Sequence, residues 1–291
     1  MNWKHSLALL LAVVSISPVD SKAAEKDRGL RTGVATIGSQ KIVSAPGFGA
    51  IRGRIVIPES EKNSIPKPKV LFDVGKAPVA SKCCAAEDPI MEESLLINSK
   101  NRGLKNVFVY LKENPKGGRP KAASQSLWPT ADPSGKKPVF DYDNCTFIPH
   151  AMILTVADTL TFRNQDPVIH NYRTFPFKGL TLNIVILHMQ NGNPGLIDRK
   201  PFSRPEKYPV KVTDTTHPWM SAYQLPLDHP YAAVTDADGR FIISDLPPGT
   251  HEFIIWHEKG RILHRAYVAE VSADKTTDLE EILVPLKQLT K

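Results

Sequence analysis

The stretch Met152-Ile153-Leu154-Thr155-Val156-Ala157-Asp158-Thr159-Leu160-Thr161-Phe162 holds two short apolar runs separated by a polar break. Neither run is long enough for a helix face, and both are rich in apolar and β-branched residues, so they read as two strands and a turn. The same grammar recurs outward from here. Asn183 to Leu187 is β-branched and apolar. Asn106 to Leu111 sets Val107, Val109 and Leu111 on one face, and Ile51, Ile55 and Ile57 alternate with Arg52, Arg54 and Val56. Near the end, Ala233-Val234-Thr235, Arg240 to Ile243 and Glu252 to Trp256 follow closely, with Asp238-Gly239 and Pro247-Pro248-Gly249 as turns. The 25 prolines and 17 glycines cut the chain into pieces too short for helices. Ile90 to Leu96 is a short helix candidate, while 112–128 and 190–208 read as loops. An all-β chain of sandwiches or barrels is the expected class.

The N-terminus reads as a targeting segment. Lys4 and His5 precede an apolar run from Leu7 to Ile16, and Ser21 and Ala23 supply small residues for cleavage. The run is shorter than the roughly 20 apolar residues a membrane span needs. Residues 1–23 are therefore expected to be a signal peptide and 24–48 a flexible segment. The mature protein is expected to be secreted or periplasmic, without a transmembrane anchor. The formal charge of +7 is dispersed over Pro/Gly-rich loops such as Lys67 and Lys69, 116–121, and Lys136-Lys137. A nucleic-acid site needs such charges on one face, so none is expected.

The chain has three cysteines, Cys83, Cys84 and Cys145. Neighbouring cysteines seldom pair, so an exported chain is expected to join Cys145 to either Cys83 or Cys84. No C-x-x-C spacing supports zinc.

Candidate chemistry lies between Cys145 and Met220. His150 closes Cys145-Thr146-Phe147-Ile148-Pro149-His150. His170 follows Asn164-Gln165-Asp166-Pro167, and a late loop reads Thr213-Asp214-Thr215-Thr216-His217-Pro218-Trp219-Met220. An upstream histidine followed by a histidine and methionine three apart suits a mononuclear copper centre, because imidazole and thioether together select copper over hard cations. Blander roles fit the same residues. His170 could hold its loop, Trp219 could cover the core, Met220 could fill it, and His150 could head a strand. His229 and His257 lie outside the loop pair.

From about Gly49 onward the sequence resembles the secreted methylamine-utilisation-type cupredoxin proteins. The resemblance rests on Gly49-x-Ile51-x-Gly53, Asn106-Val107-x-Val109-Tyr110-Leu111, Cys145-x-Phe147-x-Pro149-His150, and Asn164-x-Asp166-Pro167 leading to His170-Asn171. It continues through His217-Pro218-Trp219-Met220, Asp228-His229-Pro230-Tyr231, Val234-Thr235-Asp236-x-Asp238-Gly239-x-Phe241 and Trp256-His257-Glu258. It implies copper held by His170, a cysteine, His217 and Met220. Asp214 stands where that cysteine belongs. The resemblance therefore implies either an altered N/O-rich site of His170, Asp214, His217 and Met220 for Cu(II) or Zn(II), or no metal.

Thr235 to Gly249 also resembles the hairpin of the carboxypeptidase regulatory-like sandwich, related to transthyretin-like and starch-binding-like folds. The implied architecture is a cupredoxin-like Greek-key sandwich plus this smaller one. Residues 49–111 and 229–291 would form the small sandwich, with 112–228 inserted as the cupredoxin-like domain. Ile51 to Ile57 would then pair in one sheet with the strands around Phe241 and Ile255.

Catalytic motifs fail. His257-Glu258 opens like H-E-x-x-H, but Arg261 occupies the second histidine position, and there is no G-x-S-x-G elbow or phosphate loop. Asp236-x-Asp238-Gly239 reads as a hairpin turn rather than a calcium loop. The expected function is copper binding, or a protein derived from a copper electron carrier, with a redox protein as partner. The alternative is a carbohydrate- or cell-surface-binding module, for which Trp128, Tyr172, Trp219 and Tyr231 would form an exposed stacking platform.

Overall fold

The computed structural model describes residues 44–78, 83–112 and 137–290. The expected signal peptide, most of the segment 24–48, and Trp128 lie outside the described residues. Within them the protein is all-β, with nineteen strands and two short 3-10 helices. No helix among them is long and apolar enough to cross a membrane.

Four sheets enclose three apolar cores. In the first sheet β1 (Gly49–Val56) pairs antiparallel with β15 (Arg240–Leu246) and parallel with β18 (Thr276–Asp278) and β19 (Ile282–Leu283). The second sheet runs β14 (Ala232–Val234), β4 (Phe108–Leu111), β16 (Gly249–His257), β17 (Arg261–Val271). Ile51 and Ile55 point between these sheets onto Val109, Leu111, Phe253 and Ile255, while Arg52 and Arg54 turn outward to Asp278 and Glu281. The alternation in β1 thus follows from one buried face and one wet face.

Strand β4 has no wet face. Phe108 and Tyr110, between its inward Val109 and Leu111, pack with Ile254 and Trp256 into a second core. The opposite wall of that core is Ala151, Ile153, Tyr223, Leu225 and Leu227. These belong to the third sheet, β10 (Asn183–Ile186), β9 (His170–Thr174), β12 (Val210–Thr213), β13 (Ser221–Leu227), β7 (Ala151–Thr155). Its other face supplies Met152, Leu154, Tyr172, Val212 and Ala222 to the third core. The fourth sheet closes that core with β11 (Gly195–Arg199), β8 (Leu160–Asn164), β5 (Val139–Asp143) and β6 (Thr146–Ile148). Phe140 sits at its centre, in ring contact with Tyr142, Phe147, Phe162 and Tyr172. The chain leaves the second sheet after Leu111 and re-enters it at Ala232, which pairs with Tyr110.

Three local expectations are corrected. Ile90 to Leu96 is not a helix: Ile90–Met91 is the short strand β3, paired with β2 (Val70–Phe72). Ile90 belongs to the third core and Leu95 packs against the first, so extended chain, not one helical face, serves both. The loop expected over 190–208 contains β11, an edge strand on β8. Finally, Gly53 pairs with Phe241 in the first sheet, but Ile255 lies in the facing sheet, across the core.

Candidate functional site

The two elements that meet at the site are the start of β9 and the loop joining β12 to β13. The loop is tight, because Met220 N–H donates to the His217 carbonyl at 2.9 Å. Asp214 organises its interior. One carboxylate oxygen, Oδ1, accepts the N–H groups of Thr216 at 2.6 Å and His217 at 2.9 Å; the other, Oδ2, accepts Asn171 N–H at 2.9 Å. An aspartate here satisfies three backbone donors, two of which, Asn171 and His217, would otherwise be buried without partners.

The same Oδ2 meets His170 Nδ1 at 2.9 Å, and the opposite ring nitrogen, Nε2, meets Asp166 Oδ2 at 2.8 Å. A neutral imidazole donates from only one nitrogen, whereas imidazolium donates from both. A carboxylate oxygen at hydrogen-bond distance from each nitrogen therefore favours the doubly protonated ring. Burial by itself pushes His170 down, but its bonds to Asp166 and Asp214 outweigh this and leave it raised. Burial pushes Asp214 up; the bond from His170, the nearby His217 ring and the backbone donors outweigh it and hold the carboxyl well below the usual range. Tyr142 stacks on the His170 ring at 5.2 Å, a placement that further suits a cation.

These shifts have opposite consequences along the pH scale. With its value raised, His170 contributes stability that is complete below the ordinary histidine value and is lost as pH rises through the raised one. Asp214 contributes stability that is lost only as pH falls below the ordinary carboxylate value. His257, outside this cluster, is pushed down to about 4 by burial, so falling pH destabilises the fold through it between about 6.5 and that value.

His217 completes the cluster less firmly. Its Nδ1 lies 3.4 Å from Asp214 Oδ2 without an aligned hydrogen bond, and its ring sits 4.6 Å from that of His170. Trp219 covers it at 5.3 Å, packs edge-on against Phe72, and donates its indole N–H to the Cys145 carbonyl. Met220 is buried in the third core. His170, Asp214 and His217 thus come together as a buried cluster, each at most 2% exposed.

Asp166 is the participant the sequence reading missed. Its Oδ2 also accepts Cys145 N–H at 2.9 Å, which ties the cluster to the disulfide. That disulfide joins Cys84 to Cys145, and Cys83 remains a half-buried thiol. His150 pairs instead with Glu258, and His229 stacks on Tyr231. His257 accepts Lys259 N–H. None of these three belongs to the cluster.

A thiolate copper centre does not fit these residues. Position 214 is a carboxylate, Cys145 is spent in a disulfide, and both nitrogens of His170 are engaged. The stacking platform is not assembled either, since Tyr172 and Tyr231 lie in separate cores and Trp219 caps the loop.

No protein-family model matches the chain, and no curated protein does. Solved structures give a weak, partial likeness to amicyanin, a cupredoxin. One Cu(I)-form variant of amicyanin is 16% identical, covering 32% of this chain and 83% of its own, at a TM-score of 0.25. A reduced Cu(I) form of another variant is 17% identical, covering 41% and 98%, at 0.26.

Proposed function

We propose that this is an exported, non-enzymatic cupredoxin-like protein in which a protonated histidine replaces the electron-transfer metal. It would act through binding, with the small sandwich of residues 49–111 and 229–291 as part of its scaffold. The observation behind this reading is the bracketing of His170 by Asp214 on Nδ1 and Asp166 on Nε2. A buried positive ring between two carboxylates satisfies the electrostatic demand that a metal cation would otherwise meet. It also leaves His170 no lone pair for a ligand bond.

The unaligned Nδ1 of His217 favours a second reading, an N/O-rich Cu(II) or Zn(II) site on His170, Asp214 and His217 near Met220. Such an ion would have to displace the ring proton of His170, so its affinity would fall as pH falls.

Loading residues 24–291 with Cu(II) at neutral pH and recording retained metal with visible and paramagnetic resonance spectra separates the readings. The proton-filled cluster predicts no metal retained through desalting. One retained equivalent without an intense thiolate band, lost in His170→Ala and His217→Ala, would establish the second reading. A strong thiolate band in the native chain would overturn both.

A further inference from the structure

The sulfur atoms of Cys83, Cys84 and Cys145 all lie within 4.8 Å of one another. Cys145 Sγ in turn lies within 4.8 Å of ligand atoms of both Asp166 and His170. The half-buried Cys83 thiol is thus packed beside a buried disulfide, in a pocket that already holds nitrogen and oxygen donors. Burial, and then the nearby Asp166 charge, push that thiol up, so it is a protonated group waiting beside two oxidised sulfurs.

We propose that reduction of the Cys84–Cys145 disulfide turns this cluster into a thiolate site for a soft d10 cation, Cu(I) or Zn(II). The reductant is a dithiol. It gives two electrons and two protons to the Cys84 and Cys145 sulfurs and leaves as its own cyclic disulfide. The cation then takes three thiolates, from Cys83, Cys84 and Cys145, and releases three thiol protons. Sulfur ligands at about 2.3 Å from a metal lie somewhat under 4 Å apart, so the three sulfurs need only small movements to close around one ion. Thiolates select such cations over hard ones.

The pairing explains why three cysteines are grouped when a disulfide needs only two. In the oxidised chain just one thiol remains and the site is shut; two-electron reduction supplies the two missing ligands together. Asp166 links this site to the histidine cluster, since its Oδ2 accepts Cys145 N–H and also meets His170 Nε2. The inference is independent of how His170 is protonated.

The test compares oxidised and dithiol-reduced full chain, kept anaerobic, with Cu(I) alone and with Zn(II) alone. Near-ultraviolet circular dichroism reports whether the fold persists. The reduced protein should retain one equivalent of Cu(I) or Zn(II) through desalting with a native-like signal, and the oxidised protein none. Cys83→Ser leaves the disulfide untouched, so it should fold normally when oxidised yet lose metal retention when reduced. Retention of neither ion overturns the proposal, as does equal retention by both redox states or by Cys83→Ser. A reduced chain that stays unfolded when metal is added overturns it too.

Discussion

Asp214→Ala is expected to be among the most damaging single substitutions in the molecule, lowering unfolding free energy by about 3–5 kcal/mol. The carboxylate accepts three backbone N–H groups and one imidazole N–H, and its side chain is fully shielded from water. Its removal leaves the His170 charge with Asp166 alone and strands the buried backbone donors of Asn171 and His217. Asp214→Asn should cost less, because its amide oxygen can still serve one pair of donors. The amide nitrogen, however, presents a donor to the donor on His170 Nδ1. Equilibrium urea unfolding checks both, and a midpoint shift at unchanged slope identifies a true stability loss. A loss of under about 1 kcal/mol for Asp214→Ala, the size of an ordinary exposed pair, would show that the cluster is not an ion pair at all.

The second large effect is expected at the disulfide. Cys84 and Cys145 are 61 residues apart, and closing a loop of that length restricts the unfolded chain by about 4 kcal/mol in the chain-entropy account. Cys145→Ser should therefore lose roughly that much, whereas Cys83→Ser should change stability little. The contrast also tests the pairing. If Cys83→Ser were the damaging change and Cys84→Ser the mild one, the bridge would run to Cys83 instead. Thermal unfolding together with a count of reactive thiols reads both quantities.

The sequence makes half of this picture legible. Ile51 and Ile55 alternate with arginines because one face of β1 meets water, and the pattern exposes the strand directly. Asn106 to Leu111 sets Val107, Val109 and Leu111 on one face, but Phe108 and Tyr110 on the other are apolar as well, since the two faces enter different cores. Period two therefore located the strand but not the fact that another sheet covers its far side. Gly195 to Arg199 failed for the opposite reason: an edge strand with only one face partly covered looks like loop.

At the site, His170, His217 and Met220 could be named from motif spacing, and Asp214 only through the resemblance, as the residue standing where a cysteine belongs. Asp166 could not be, because an aspartate before proline reads as a turn former, and its contact with His170 exists only once β8 and β9 have folded. The choice between Cys83 and Cys84 was closed to sequence for a similar reason. Adjacent residues point their side chains in different directions, and only the folded backbone shows that it is Cys84 that bonds to Cys145.

As a buried cation, His170 carries protons on both ring nitrogens, where a metal ligand would offer one of them. Nitrogen-15 NMR of the imidazole rings, followed as pH is raised through neutrality, tests it most directly. Two protected ring N–H signals from His170, persisting above the ordinary histidine value of about 6.5 and released together with a loss of stability, are the predicted result. A His170 ring with one bare nitrogen at neutral pH would mean that the cluster holds no buried cation.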